Sequence, residues 1–429
     1  MDCHGLRPRN DVPYGTSFTY QLTDAFMTAS HPLPTAPLAS LGFDPARSAR
    51  LFDTLQAEVA KGRLPGAVAL VARQGKVVLH EAIGQLDPAS GVAMTKDAIF
   101  RIYSMTKPLV SVATMQLVEQ GRLFLSDPVS RYLPAFAQVQ VAHMANGQLQ
   151  LRAPRAAMTV YDLLRHTAGM TYEFLGQSPV QKIYDEAGLR TTTRGHSNTQ
   201  FAELLASMPL MFEPGSIWEY SRATDVLGAL LEVVSGQTLG SLLQAQVLGP
   251  LGMIDTAFHV PPEKHHRIAQ AFAHDPDGGT PMPLIDLTEV PRLESGGGGL
   301  GGTVADYARF CQCMLNGGTL DGQRLLSPHT VRFMTSDHLG RVGQNRTENA
   351  GNMLAPGTGF GLGFSVRLAS GLDTLPGSVG LYSWGGIAGT TFWVDPKEDM
   401  FAILMIQAPN QRDYYRPLFR NMVYAAMVS

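Results

Sequence analysis

Strand patterns lie near the two ends of this chain, and its middle is patterned mostly as helix. The apolar runs 67–72 and 76–80 are joined through Gln74-Gly75, which predicts an antiparallel hairpin. Further strand patterns follow late in the chain, at 360–367, 378–384, 390–394 and 400–406. Because strands from both ends can pair side by side, this order predicts an α+β fold with one antiparallel sheet and a helical insertion.

Helical patterns complete this outline. The first clear helix begins at Asp44-Pro45, where an N-cap carboxylate precedes a proline at the first helical position. The last helix covers 413–427, so we expect the sheet to be flanked by the two terminal helices. Other helices are predicted at 160–166, 198–208, 223–235, 238–248 and 304–315.

These elements divide the chain into three predicted parts. Residues 1–43 have turn and extended composition and are expected to form an N-terminal extension. Residues 44–122 and 295–429 are expected to form an α/β domain, and residues 123–294 a mainly helical domain. Long loops inside a compact chain usually line a site, so we expect the active site between the two domains.

Composition and charge argue against several kinds of partner. The 429 residues carry a net charge of -3 without a basic stripe, which argues against nucleic acid and anionic membranes. No apolar run reaches the length of about 18 residues that suggests a transmembrane helix. The N-terminus lacks the continuous apolar core of a secretory signal. We therefore expect a cytoplasmic protein without membrane insertion, and its oligomeric state stays open.

The sequence argues against metal and organic cofactors. Three cysteines cannot build a disulfide framework. Cys311 and Cys313 stand two residues apart on a predicted helix, so their side chains point to different faces. The pair His265-His266 lacks metal-ligand spacing. The glycine-rich run 295–303 lacks the Lys-Ser/Thr ending of a phosphate-binding loop, and indicates a close backbone approach or a flexible connection.

The main chemical signal is Ser104-Met105-Thr106-Lys107, which opens the apolar helical run 108–118. A hydroxyl at the start of a helix gains from the unpaired N–H groups and the positive dipole end there. An ammonium three residues later lies on the same face, one turn along, where an amine can hold or take the hydroxyl proton. The spacing therefore predicts a serine nucleophile beside an activating amine.

This motif alone does not decide the question. The chain has seven lysines, and one of them has serine three residues before it. Chance alone would give roughly 0.4 such pairs, so the bare motif is weak evidence. The alternative is a helix-capping serine and a solvated lysine, which the motif by itself favours. The apolar helix that follows instead indicates burial in the domain centre.

Five sequence blocks occur in an informative order. They are Phe100-Arg101-Ile102-Tyr103-Ser104-Met105-Thr106-Lys107, then 163–170, 212–221, 250–253 and 299–308. In this order they resemble the serine β-lactamase and penicillin-binding-protein superfamily, on its class C side. The first block looks like the nucleophile box, the second like a Leu-Leu-x-His-Thr-Ser-Gly segment, and the third like the block that ends in the catalytic tyrosine. The resemblance implies a β-lactamase-like serine hydrolase fold over most of the chain.

Two departures from that family pattern bear on function. The box that reads Lys-Thr-Gly or His-x-Gly in penicillin-recognising members corresponds here to Trp384-Gly385-Gly386. The usual Tyr-x-Asn is replaced by Tyr220-Ser221-Arg222. Tryptophan cannot supply the positive charge that helps bind a β-lactam carboxylate; its indole offers one N–H and a large apolar face. Tryptophan-Gly-Gly resembles the carboxylesterase branch, the family VIII esterases, which implies short-chain carboxylic esters as substrates.

The resemblance also implies catalytic roles. Ser104 would be the acyl-forming nucleophile, and Lys107 and Tyr220 would be the proton-relay pair. Lysine in its charged form favours a phenolate, whereas burial favours the neutral pair. In either state one group can take the hydroxyl proton, and Tyr220 is the expected base for the water that clears the acyl-enzyme. The backbone N–H groups of Ser104 and Ile387 would form the oxyanion hole.

Four residues are implied as substrate contacts. Gly385 and Gly386 would let the substrate lie close against their strand. Trp384 would either contact the substrate or pack under the helical region. Arg222 would either bind an acidic substrate group or pair with a neighbour such as Asp225, and the second alternative is favoured.

His166 invites a different mechanism, because esterases often use Ser-His-Asp. Its block, however, resembles a segment outside the catalytic centre, so we expect His166 to be structural. No Gly-x-Ser-x-Gly elbow occurs in the chain, which further weakens the Ser-His-Asp interpretation.

The leading functional interpretation is a serine carboxylesterase that acts on a small-molecule ester, with a weak side activity on cephalosporins. The first alternative is a β-lactamase or a D-alanyl-D-alanine peptidase on the same scaffold. The second is a non-catalytic binding protein on this fold. All three catalytic positions are filled, which argues against the second alternative.

Overall fold

The computed structural model describes residues 32–189, 195–344 and 353–428. The strands are β1 Gly66–Arg73, β2 Lys76–Asp87, β3 Val92–Ala93, β4 Phe100–Arg101, β5 Val141–Ala145, β6 Gln148–Arg152, β7 Ile217–Trp218, β8 Gly301–Gly302, β9 Thr319–Leu320, β10 Gln323–Arg324, β11 Gly343–Gln344, β12 Thr358–Phe360, β13 Ser365–Arg367, β14 Tyr382–Gly385, β15 Thr391–Asp395 and β16 Met400–Ile406. The α-helices are α1 Pro45–Ala60, α2 Thr106–Glu119, α3 Val160–Leu164, α4 Pro179–Glu186, α5 Asn198–Ser207, α6 Ala223–Ser235, α7 Leu239–Leu243, α8 Val304–Leu315, α9 Pro328–Met334 and α10 Arg412–Ala426.

One antiparallel sheet of eight strands organises the structure, in the order β12-β13-β14-β15-β16-β1-β2-β3. Strand β16 pairs with β1, so that Ala67 lies opposite Ile406 and Arg73 lies opposite Met400. Strand β2 extends the sheet on one side through its hairpin with β1, and β15 extends it on the other. The predicted α+β fold, with one antiparallel sheet built from both ends of the chain, is confirmed.

Apolar side chains pack on both faces of this sheet. On one face Leu55 of α1 and Phe419 of α10 belong to the same core as Leu404. On the other face Ile403 and Met405 share a core with the buried residues of α2 and α8. Successive strand residues point to opposite faces, so β16 is buried along its whole length. The terminal helices therefore cover one face, and α2 lies on the other side of the sheet.

Several local predictions are confirmed in detail. Asp44 caps α1, and its Oδ1 accepts a hydrogen bond from the Arg47 amide at 2.9 Å. The β1–β2 turn has positive φ at both central residues, 52° at Gln74 and 72° at Gly75, as tight hairpins require. Helix α8 and strand β16 have the bounds that their apolar patterns predicted.

Several element predictions are wrong in extent. The strand predicted at 378–384 is β14, Tyr382–Gly385, and the strand predicted at 76–80 continues to Asp87 as β2. The run 360–367 is not one strand, because Gly363 has φ 95° and the chain folds back there, so β12 pairs with β13. Helix α3 ends at Leu164 rather than at residue 166, since His166 adopts φ 56°. The helix predicted over 238–248 is α7 followed by a π-helical turn, Gln244–Leu248.

A hairpin and a helix in the middle region were not predicted. Strands β5 and β6 form a hairpin around Asn146-Gly147, whose φ values are 51° and 75°. Asn-Gly is a strong hairpin signal, but β5 (Val-Ala-His-Met-Ala) does not alternate polar and apolar residues, and β6 (Gln-Leu-Gln-Leu-Arg) is mostly polar. Helix α4 was also missed, although Ser178 and Gln181 form a capping box at its start.

The expected N-terminal extension is described only in part. Residues 1–31 of the expected extension, including Cys3, lie outside the described residues, and residues 32–43 contain the 3₁₀ turn Leu38–Leu41. The division into an α/β and a helical domain stays a prediction.

In the described part of the chain no single helix is long and apolar enough to cross a membrane. Helix α6 and the segment Leu239–Leu248, which are bent by 77° relative to each other, reach that length and composition only as a pair.

Candidate active site

Ser104 lies where a short 3₁₀ turn, Tyr103–Met105, runs into α2. The first twelve residues of α2 are buried, so the helix start is fixed within the protein. Tyr103 has φ 44°, a left-handed conformation that costs free energy for a residue other than glycine. The Tyr103 hydroxyl accepts a hydrogen bond from the Ile285 amide at 2.9 Å. Ser104 therefore follows a strained residue that the surrounding structure holds in place.

Lys107 is buried, and its side-chain nitrogen contacts three oxygens. The Nζ atom lies 2.6 Å from the Gly297 carbonyl oxygen, 3.1 Å from the Tyr172 hydroxyl and 3.3 Å from Ser104 Oγ. An ammonium has three N–H donors and no acceptor, so these oxygens match the protonated amine. In this arrangement Lys107 donates a hydrogen bond to Ser104 rather than accepting one.

The oxygens around Lys107 keep it protonated in spite of its burial. Burial lowers the pKa of Lys107, but the oxygens of Tyr172 and Tyr220 and the Asp225 carboxylate outweigh burial and raise that pKa above its usual value. Burial also raises the pKa of Tyr172, so this phenol stays neutral. The site therefore contains a buried ammonium beside a neutral tyrosine.

The ring of Tyr220 also contacts the Lys107 ammonium. The Nζ atom is 4.6 Å from the centroid of the Tyr220 ring, a cation–π contact. Trp384 of β14 donates a hydrogen bond from Nε1 to the Tyr220 hydroxyl at 3.2 Å, and the two ring centroids are 5.1 Å apart. The structure thus brings together Ser104, Lys107, Tyr220 and Trp384, and the Trp384 indole N–H is directed at the phenol oxygen.

The sequence prediction did not include Tyr172, although it contacts Lys107 directly. Its ring centroid lies 5.2 Å from that of Tyr220 and 4.9 Å from that of Phe174. Tyr172 follows the block 163–170 by two residues. This position next to a family-like segment is the sequence feature that could have indicated that Tyr172 belongs to the site. Its contact with Lys107 joins residues 65 positions apart, which no local spacing reveals.

The glycine-rich run 295–303 approaches α6 closely, which was one of its two predicted meanings. A Cβ atom on Gly296 would lie 2.6 Å from the Thr224 carbonyl oxygen. The Oδ1 atom of Asp225 accepts hydrogen bonds from Ser295 Oγ at 2.5 Å and from the Gly297 amide at 3.0 Å. Since the Gly297 carbonyl accepts from Lys107, Asp225 orients a peptide segment that holds the lysine.

Arg222 lies beside the site and is held mainly by Glu173. The Nη2 atom of Arg222 is 2.7 Å from Glu173 Oε1, whereas its Nη1 atom is 3.9 Å from Asp225 Oδ2. The guanidinium also stacks over the Tyr172 ring, with Cζ 4.8 Å from the ring centroid. The predicted pairing with Asp225 is therefore the longer of two ion pairs, and Glu173 is the partner that spacing did not suggest.

His166 is fully enclosed behind Tyr220. Its Nδ1 atom lies 3.2 Å from Ser221 Oγ, and its ring centroid is 4.8 Å from that of Tyr220. Burial, and then the nearby charge of Lys107, hold the pKa of His166 well below its usual value. The imidazole is therefore neutral, and its hydrogen bond is with Ser221.

Ile387 lies in a tight turn between β14 and β15. The Gly386 amide donates to the Thr390 carbonyl at 2.8 Å, and the Gly389 amide donates to the Gly386 carbonyl at 2.9 Å. A Cβ atom on Gly386 would lie 2.4 Å from the Ile102 carbonyl oxygen. The turn therefore packs against the residue two positions before Ser104, and it needs glycine for that close approach.

A family model described as Beta-lactamase matches residues 50–426 of the chain. The chain belongs to the β-lactamase family. One relative, Protein Rv1367c from Mycobacterium tuberculosis (strain ATCC 25618 / H37Rv), is 36% identical over 352 residues, which cover 81% of this chain and 86% of the relative. Another, Esterase EstB from Burkholderia gladioli, is 33% identical over 406 residues, which cover 88% of this chain and 94% of EstB.

A solved structure supports the same placement within the β-lactamase family. EstCE1, a hydrolase with promiscuous acyltransferase activity, has a TM-score of 0.75 and 28% sequence identity, with 88% of this chain and 98% of EstCE1 covered. Together with EstB, this similarity confirms the predicted esterase branch of the β-lactamase fold. The chain is therefore a hydrolase of the β-lactamase superfamily.

Proposed function

We propose that this protein is a serine carboxylesterase that hydrolyses short-chain carboxylic esters through an acyl-enzyme on Ser104. The observation that carries the proposal is the contact of one buried ammonium, Lys107, with both Ser104 Oγ and the Tyr220 ring, at 3.3 Å and 4.6 Å. This arrangement fits an activated serine whose proton has an acceptor nearby. The similarity to Esterase EstB and to the hydrolase EstCE1 supports ester substrates.

In the acylation step Tyr220 starts as the phenolate. The Ser104 oxygen attacks the ester carbonyl carbon, and its proton passes to the Tyr220 oxygen, which becomes the neutral phenol. Lys107 is already protonated, so Tyr220 is the acceptor in this scheme, and the Lys107 charge and the Trp384 N–H stabilise negative charge on Tyr220. The carbon–oxygen bond to the alcohol then breaks. The departing alkoxide takes the proton from Tyr220 and leaves as the alcohol.

In the deacylation step a water molecule attacks the acyl-enzyme carbonyl. Tyr220 takes the proton of the water and returns it to the Ser104 oxygen, which leaves as a hydroxyl group. The carboxylic acid product is released and the free enzyme is regenerated. In this scheme one phenol serves as base and then as acid in each half of the cycle.

The oxyanion hole in this proposal consists of the amides of Ser104 and Ile387. Among the hydrogen bonds between described residues, neither amide donates to a protein acceptor. Ser104 and Ile387 are both half-buried, and an N–H group without a protein acceptor near a nucleophile can donate to an incoming oxyanion. We propose that Gly385 and Gly386, which border Ile387, also line the path of the substrate.

The cations near the site favour esters over β-lactams. A β-lactam carboxylate needs a positive charge, and Trp384 provides an indole in that place. Arg222, the other candidate, is paired with Glu173 at 2.7 Å. We therefore propose that Trp384 acts by supporting Tyr220 and by giving an apolar wall, and that Arg222 does not bind an acidic substrate group. Cephalosporin cleavage would be a weak side activity.

The proposal is tested by parallel turnover of p-nitrophenyl butyrate and a chromogenic cephalosporin, with Ser104→Ala as the control. We expect ester hydrolysis to exceed cephalosporin hydrolysis by at least about 100-fold in kcat/KM, and Ser104→Ala to lose at least about 10⁴-fold. Faster turnover of the cephalosporin would favour a β-lactamase or D-alanyl-D-alanine peptidase. Absence of turnover together with no fluorophosphonate labelling of Ser104 would favour a non-catalytic binding protein.

A further inference from the structure

Arg416 of α10 reaches through to the turn that carries Ile387. Its Nη2 atom donates hydrogen bonds to the Gly386 carbonyl and, at 3.0 Å, to the Thr390 carbonyl. These are the carbonyls that also accept from the Gly389 and Gly386 amides within the turn. One guanidinium therefore joins both ends of the turn to the C-terminal helix.

The Arg416 guanidinium occupies the space that a side chain at position 385 would need. A Cβ atom on Gly385 would lie 2.8 Å from Arg416 Nη2 and 2.9 Å from its Cζ atom. A side chain at position 385 would thus displace the guanidinium. The first glycine of Trp384-Gly385-Gly386 is therefore needed for contact with Arg416, while the second is needed for contact with Ile102.

The peptide between Gly386 and Ile387 links Arg416 to the proposed oxyanion hole. Every peptide bond in the described residues is trans. In a planar trans peptide the C=O and the following N–H point in opposite directions. A group that fixes the Gly386 carbonyl on the side of α10 therefore directs the Ile387 N–H to the opposite side of the turn. Because the donor is charged, it also polarises the peptide and strengthens that N–H as a donor.

We propose that Arg416 is a positioning residue that orients and polarises the Gly386–Ile387 peptide, so that the Ile387 amide stabilises the oxyanion of the reaction. This inference rests on the proposed esterase function. Arg416 touches neither substrate nor Ser104 in this scheme, and it acts through one peptide group. Its effect should therefore fall on transition-state stabilisation and not on substrate binding.

A purely structural role for Arg416 is the competing explanation, and α10 supplies a matched control. Arg420 lies one turn further along the same helix and also donates to a loop carbonyl, that of Pro376, at 2.8 Å. It stacks near Trp393, with its Cζ atom 5.8 Å from that ring centroid. Replacing Arg420 removes a similar side chain and a similar hydrogen bond without touching the Ile387 turn.

The experiment compares Arg416→Met with Arg420→Met in the full-length enzyme, using p-nitrophenyl acetate. Active sites are counted with a fluorophosphonate, so kcat refers to folded enzyme. For Arg416→Met we expect kcat to fall about 10- to 100-fold with KM within about twofold, because removal of a whole oxyanion donor costs about 10²–10³-fold. Affinity for an arylboronic acid, which forms a tetrahedral adduct on serine, should fall by a similar factor. Arg420→Met should keep both constants within about twofold.

The outcomes separate this inference from the proposed function. A wild-type enzyme without ester turnover would remove the function itself. A wild-type enzyme that is active, with per-site kcat and boronate affinity unchanged in Arg416→Met, would overturn the role of Arg416 and leave the function standing. If Arg416→Met does not fold, Arg416→Gln removes the charge with a smaller change in polarity, and the same two constants decide the question in the same way.

Discussion

Lys107 is a buried cation and Arg222 is a half-buried one; both lie near the Tyr172 ring, and they are compensated differently. Lys107 Nζ lies 5.5 Å from the Tyr172 ring centroid and Arg222 Cζ lies 4.8 Å from it. Neutral oxygens, from Gly297, Tyr172 and Ser104, accept the hydrogen bonds of Lys107. Arg222 is instead paired with the Glu173 carboxylate at 2.7 Å.

This difference determines what each charge can do. A cation in direct contact with a carboxylate has much of its field cancelled, and breaking the pair is costly. A cation held by neutral oxygens keeps its attraction for a developing anion nearby. We infer that Lys107 serves the chemistry of the site and that Arg222 serves its architecture. Asp225 lies between the two, since it binds the Gly297 amide and approaches Arg222.

The largest expected effect is on activity, in Lys107→Met. This change removes the ammonium beside Ser104 while keeping most of the side-chain volume, so we expect kcat/KM for p-nitrophenyl butyrate to fall at least about 10³-fold. The oxygens that lose its hydrogen bonds are neutral, so we expect the midpoint of chemical denaturation to fall less than for a broken buried ion pair. A variant that keeps a tenth of wild-type activity would contradict the assignment.

Tyr220→Phe should come close to that loss, because it removes the group that accepts the serine proton. We expect a decrease of about 10³-fold in kcat, within the range for general acid–base groups. Tyr172→Phe is the matched control, since it removes the other phenol that contacts the same ammonium. We expect it to cost no more than about tenfold. Equal losses in the two variants would show that the phenols cannot be told apart by their contacts.

The residues of this site differ in how far the sequence could predict them. Ser104 and Lys107 are one helical turn apart, so their spacing predicted them. Tyr220 and Trp384 lie in sequence blocks that resemble those of a known family, so the resemblance predicted them. The same holds for β16 and α8, whose apolar periodicity is uninterrupted.

The contacts that were missed all depend on tertiary structure. Tyr172 meets Lys107, and Arg222 prefers Glu173, 49 residues away, over Asp225, three residues away. Sequence spacing favours the short-range partner because a helix places i and i+3 on one face. Arg416 likewise reaches the Ile387 turn only because α10 packs on one face of the sheet, and no sequence motif predicts that contact.

Arg222→Met should show the opposite pattern to Lys107→Met. It leaves the buried Glu173 carboxylate without its guanidinium, which for a broken buried pair lowers the free energy of unfolding by about 3 kcal/mol. The value of kcat per active site should stay within about tenfold, because Lys107 and Tyr220 are retained. The double variant Arg222→Met/Glu173→Gln should recover much of the lost stability. Denaturant titration and active-site titration together measure both effects. A large loss of kcat with unchanged stability would reverse the comparison.

The smallest expected effect on activity concerns Asp306 at the start of α8, a buried carboxyl group whose hydrogen-bond partners are neutral. Its Oδ2 atom accepts from the Asp255 amide and from Thr256 Oγ1, both at 2.8 Å. Burial, opposed by these hydrogen bonds, raises the pKa of Asp306 to about 7 from 3.8. Since the folded protein then binds the proton more tightly than the unfolded chain, Asp306 lowers the stability as pH rises from about 4 to about 7.

Asp306→Asn keeps a side-chain oxygen acceptor and removes this titration. Each pKa unit is worth about 1.4 kcal/mol, so we expect the free energy of unfolding of the variant, relative to wild type, to increase from pH 4 to pH 7 by roughly 4 kcal/mol and then stay level. Urea titrations of both proteins across that pH range measure the difference, with kcat as a control that should not change. If the difference in the free energy of unfolding between variant and wild type is constant from pH 4 to pH 7, Asp306 is already ionised in the folded protein over that range. Neutral hydrogen-bond partners would then be enough to hold a buried carboxylate here, as they hold the buried ammonium of Lys107.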